Sequence, residues 1–82
     1  MRAQQAVRAR IAYLMAQHGL SLSRLSARSG ISKSVLHDTL KGNPPRVTNT
    51  TILTIQRICQ AMEISMRDFF DSDLFDDLEY EE

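Results

Sequence analysis

The sequence predicts an all-α fold, a compact bundle of about five short helices. Three observations carry this expectation. Apolar residues recur at helical spacing, serine or threonine stands where helices would begin, and all three glycines stand just past predicted helix ends. Nothing reads as a strand: the β-branched run from Val47 to Ile52 is interrupted by Asn49 and has no partner. With 82 residues, the chain has room for one core only.

The elements follow in order. Val7, Ile11, Leu14 and Met15 set a first helix over residues 3–18, and Gly19 suits the left-handed position after it. Ser21 can cap a second helix running to about Arg28, with Leu25 turned inward. Gly30 breaks the chain, Ser32 caps a third helix reaching Lys41, and Gly42 closes it. Pro44 and Pro45 exclude helix from the loop that follows. A fourth helix starts near Thr50 or Thr51. Its Ile52, Ile55, Ile58, Cys59 and Met62 form an inward stripe a little over about 100° wide. Ser65 with Asp68 reads as a capping box for a short fifth helix through Phe69 and Phe70. The organisation is therefore a helical domain over residues 1–70 and an acidic C-terminal tail over 71–82.

The formal charge of zero hides a split. Residues 1–67 hold all ten Lys and Arg and only Asp38 and Glu63 as acids, a net +8, while residues 68–82 hold the other eight acids and no base. A basic body suits a polyanion, nucleic acid above all. Cys59, alone in the sequence, excludes an intramolecular disulfide and reads as core rather than redox sensor. The longest apolar run is six residues, against the roughly 18–20 that cross a bilayer. With no secretory leader either, the expectation is a cytoplasmic, nucleoid-associated protein without a membrane partner. Arg2, Arg8 and Arg10 give the first helix the look of a transit peptide, but Val7, Ile11 and Leu14 are better used as core. No nucleophile elbow, phosphate loop or metalloprotease motif occurs, and His18, His37 and Cys59 lack metal-ligand spacing. No enzyme activity, cofactor, metal or small-molecule substrate is expected.

Helices two and three are separated only by Ser29-Gly30-Ile31, a three-residue turn that sets two helices at a steep angle, and Ser26 is small where they approach. The stretch Gly19-Leu20-Ser21, Leu25, Gly30-Ile31-Ser32, Leu36 and Leu40-Lys41-Gly42, with Ile58 to Met62 and Ile64 to Phe70, resembles the phage-repressor (Cro-type, XRE-like) helix-turn-helix family. The resemblance spans roughly residues 7–70 and implies a lambda-repressor-like domain. It implies double-stranded DNA as the partner, transcriptional repression as the function, and the helix Lys33 to Lys41 inserted in the major groove.

Ser34, His37, Asp38 and Lys41 share one face of that helix, with Lys33 at its leading edge and Leu36 and Leu40 opposite. By resemblance, Lys33, Ser34 and Asp38 match base-reading positions, and Lys41 and Asn43 match phosphate-side positions. Lys33 suits guanine O6 or N7, and Asp38 suits the cytosine amino group. His37 is either a further base reader or a solvated side chain. Ser21, Ser23 and Arg46 are expected at phosphates. Val35 either meets a thymine methyl or packs, and Leu53 falls off the apolar face of its helix. Leu22 stands where many relatives carry glutamine. A single module buries limited surface on DNA, so a homodimer on a two-fold operator is expected. Phe69, Phe70, Leu74, Phe75 and Leu78 would divide between the core and that two-fold contact. The alternative is the same fold used as a protein-interaction module, antitoxin-like or adaptor.

Overall fold

Local side-chain chemistry decides where most helices begin. The computed structural model describes residues 1–41 and 50–80. In it α1 spans Ala3–His18, α2 Leu22–Ser29, α3 Lys33–Lys41, α4 Ile52–Met62 and α5 Met66–Phe70, and a 3-10 turn follows over Asp73–Phe75. The fold is all-α as expected. Among the described residues the sole strand-type pairing is an isolated bridge between Arg2 and Glu79. The expected closure at Gly42 and the proline loop lie outside the described residues.

Ser21, Thr51 and Ser65 each hold extended backbone and accept a helix N–H three residues on, from Arg24 (3.2 Å), Thr54 (3.2 Å) and Asp68 (3.0 Å). Each such cap contributes about 1 kcal/mol. Ser65 and Asp68 form only half of the expected capping box: the aspartate is one methylene shorter than glutamate and returns no bond among the described residues. Helix α1 ends on Gly19 at φ 62°, and the Leu20 N–H then donates back to the Met15 carbonyl at 2.9 Å. Helix α4 ends the same way without a glycine, on Glu63 at φ 58°, with the Ile64 N–H donating to the Cys59 carbonyl at 3.0 Å. The left-handed glutamate costs roughly 1 kcal/mol. In return the chain folds back and seats Ile64 against the core.

The core joins Val7, Ile11, Leu14, Leu20, Leu25, Ile31, Leu36, Ile55, Ile58, Cys59, Met62 and Phe69, with Leu22 and Leu40 packed at its margin. Helix α2 lies against both α3 and α4, α1 against α3, and α5 against α4. Ile52 is a correction to the expected inward stripe, being 65% exposed. A helical side chain covers the turn that precedes its own Cα, and the first residue of α4 has no preceding turn. Packing of α4 begins one turn later, at Ile55.

Beyond α5 the chain doubles back onto α1. Phe69, Phe70 and Phe75 form a triangle of rings with centroids 4.9, 4.9 and 6.1 Å apart. The Arg10 guanidinium reaches across from α1, its Nε donating to the Phe69 carbonyl at 2.7 Å and one terminal nitrogen to the carbonyls of Asp68 (2.8 Å) and Asp71 (3.4 Å). Further on, the Glu79 N–H donates to the Met1 carbonyl at 3.1 Å, and its carboxylate meets the Met1 ammonium at 3.0 Å. The acidic segment is thus held along α1 as far as Glu79. Phe69 and Phe75 supply the core contacts, whereas Phe70 stays 37% exposed.

Candidate nucleic-acid interface

The α2–α3 turn is tied by its own serines. Gly30 takes φ 75°, and its N–H donates to the Ser26 carbonyl at 3.0 Å. The Ser26 hydroxyl donates in turn to the Ile31 carbonyl at 2.6 Å, and the Ile31 N–H donates to the Ser29 hydroxyl at 3.2 Å. Ile31 itself is buried. Such bonds satisfy the main chain where the helix stops and hold α3 at one angle to α2. In the sequence Ser26 stands out only for its small size, and nothing there signals the role of its hydroxyl.

Helix α3 is seated from below and bare above. The Ser32 hydroxyl caps it by accepting the Val35 N–H at 3.2 Å. Leu36 is fully buried and Leu40 half-buried against the core, as their spacing implied. On the outward side lie Ser34, His37, Asp38 and Lys41, spaced so that they share one face, with Lys33 exposed in the first turn. The His37 Nδ1 stands 3.8 Å from an Asp38 carboxylate oxygen, with both side chains well exposed. The structure therefore brings Ser34, His37, Asp38 and Lys41 onto one face of α3, with Lys33 exposed at its leading edge.

Ser21 and Ser23 are exposed at the start of α2. The Ser21 oxygen accepts the capping bond, and its hydroxyl also has one proton to donate. Neither α2 nor α3 carries an acid in its first turn, so nothing on those turns offsets the positive ends of the helix dipoles. Asn43 and Arg46, the other two expected phosphate contacts, lie outside the described residues.

Two positioning groups carried no signal in the sequence. The Gln4 amide grips the start of α4, its nitrogen donating to the Thr50 hydroxyl at 2.6 Å and its oxygen accepting the Thr50 N–H at 3.0 Å. Arg10, counted in the basic body, is directed at main-chain carbonyls instead. Cys59 is buried, and burial pushes its thiol above the ordinary range. Among the described residues no group of three His, Cys, Asp or Glu could hold a metal ion, and no helix is long and apolar enough to cross a membrane.

A family model described as a Cro/C1-type HTH DNA-binding domain matches residues 10–73. That span runs from the middle of α1 to the start of the 3-10 turn. No curated protein and no solved structure matches the chain.

Proposed function

The chain belongs to the Cro/C1-type helix-turn-helix family of DNA-binding domains, and from that premise we propose that it is a transcriptional repressor that occupies a two-fold operator as a homodimer. In this reading the protein works in the cytoplasm on the nucleoid, and α3 enters the major groove. Lys33, Ser34, His37 and Asp38 read base edges, and Ser21, Ser23, Lys41, Asn43 and Arg46 grip phosphates. The observation that carries it is the outward face of α3. Ser34, His37, Asp38 and Lys41 line that face with Val35 exposed at its flank, while the opposite face is anchored by the fully buried Leu36. Occlusion of the operator suffices as a mechanism. The two-fold contact draws on Phe70, the one of the five apolar C-terminal residues expected there that stands clearly exposed.

Selection of bound sites from a random duplex pool tests the reading. It should return a palindromic site, because a two-fold dimer writes its symmetry into the DNA. On that site, replacing Lys33 and Ser34 together by alanine should cost about 1–3 kcal/mol of discrimination between sites and little affinity for random duplex. Arg46→Ala should weaken every duplex alike and flatten the salt slope by about one unit. Equal losses on selected and random DNA for the Lys33/Ser34 variant would sink the base-reading assignment. If no sequence is enriched, the chain acts as a protein-interaction module.

A further inference from the structure

Val35 is an anomaly on α3. It is the one apolar side chain turned outward there among the described residues, 51% exposed, next to a Leu36 that is completely buried. At about 100° per residue, Val35 lies within about 60° of Asp38 around the helix and about 100° from Ser34. A packing role would use its surface, and half of that surface faces water. Its backbone is fixed as well: the Val35 N–H is held by the Ser32 cap at 3.2 Å. A β-branched side chain in a helix has essentially one rotamer, so its two methyl groups are held in place before any partner arrives. Little side-chain entropy is then lost on contact.

The major groove offers one apolar group on its floor, the C5-methyl of a pyrimidine, carried by thymine and by 5-methylcytosine. We infer that Val35 is a specificity-determining residue that reads a pyrimidine C5-methyl beside the base met by Asp38 or Ser34. The inference rests on the DNA-binding reading above and adds a contact of a different chemistry. The polar residues of α3 distinguish donors from acceptors. Val35 distinguishes a methylated ring from a bare one.

The test uses the duplex recovered by selection. Each thymine of one half-site is replaced in turn by deoxyuridine, which removes the methyl group and leaves the pairing edge intact. A parallel set replaces each cytosine by 5-methylcytosine. For the wild-type chain, one thymine position per half-site should lose roughly fourfold in affinity, as burial of one methyl group predicts. Val35→Ala withdraws both γ-methyls and should be indifferent to the same replacement, with its thermal midpoint unchanged. If a 5-methylcytosine position instead strengthens wild type and not Val35→Ala, the methyl it reads is that of methylcytosine. Equal responses of wild type and Val35→Ala at every position, on a site still discriminated through Lys33 and Ser34, overturn this inference alone. Failure to recover any site overturns the DNA-binding reading with it.

Discussion

The turn between α2 and α3 and the seam between α1 and the C-terminal segment are both fastened by side chains hydrogen-bonded to the main chain. They differ in range. In the turn, Ser26 reaches a carbonyl five residues on, and Ser29 accepts from an N–H two residues on. Across the seam, Arg10 reaches carbonyls 58, 59 and 61 residues away. Short-range bonds between neutral groups cost little chain entropy to close and mainly set an angle. Long-range bonds from a charged fork close most of the chain and mainly set whether it stays folded. The first region governs how α3 is presented, and the second governs whether there is a domain to present it.

Arg10→Met breaks the seam and should have the largest effect. It leaves the carbonyls at the end of α5 without their charged donor and keeps most of the stem's packing. Hydrogen bonds to charged groups contribute about 1.5–3 kcal/mol, so a loss of about 2 kcal/mol is expected. For a domain of this size that lowers the thermal midpoint by roughly 10 °C. Arg10→Lys should recover only part of it, since an ammonium cannot span the carbonyls as the guanidinium does. Below its midpoint, the folded Arg10→Met chain should keep its ratio of affinities for selected and random duplex. A lost ratio with unchanged stability would reverse the roles assigned to the two regions.

The same contrast explains what the sequence disclosed. The turn was legible because its signals sit within a few residues of one another: Ser21 and Ser32 as caps, Gly30 where a positive φ is needed. The shared face of Ser34, His37, Asp38 and Lys41 was legible because the helical period alone puts them together, with Lys33 at its leading edge. The seam was not legible, because its acceptors are carbonyls, which every residue carries. Arg10 therefore looked like one more cation in a basic body. Glu63 hid the end of α4, since the Schellman closure there is made by Ile64 and Cys59 on a residue type that rarely turns left. The helical period assigns Ile52 to the core, because a period describes a long helix and not its first residue. Asn43 and Arg46 lie past the helical pattern in a stretch with two prolines, where spacing carries no orientation.

Ser26→Ala probes the turn, with a smaller effect on stability. It removes the hydroxyl that donates to the Ile31 carbonyl, at a cost of about 1 kcal/mol. Alanine's higher helix propensity offsets up to about 0.5 kcal/mol of that. The expected midpoint shift is therefore a few degrees at most. Its signature is elsewhere: with α3 less firmly angled, discrimination between selected and random duplex should fall by more than stability does. Calorimetry beside a binding titration separates the two. An unchanged affinity ratio would show that the turn's serines only satisfy the main chain.

The smallest effect belongs to Glu79→Gln, at the far end of the seam. The Met1 ammonium, through its bond to the carboxylate and its charge, holds Glu79 below the usual carboxylate range, with the Arg2 charge adding to it. Because the folded value lies below the unfolded one, about 4.3 for a free glutamate, the stabilisation is complete above the unfolded value. It is lost as pH falls through the folded value. Glutamine keeps the side-chain shape and leaves the Glu79 N–H bond to the Met1 carbonyl in place. Wild type and variant should therefore differ slightly at neutral pH and converge in acid. The pair is well exposed, so 1 M salt, with a Debye length of about 3 Å, should also erase the difference. The turn's neutral bonds should ignore that salt. A Glu79→Gln deficit that persists in acid and in high salt would mean that the main-chain pairing at Met1 had been disturbed, and that the seam's end is closed by backbone geometry rather than by charge.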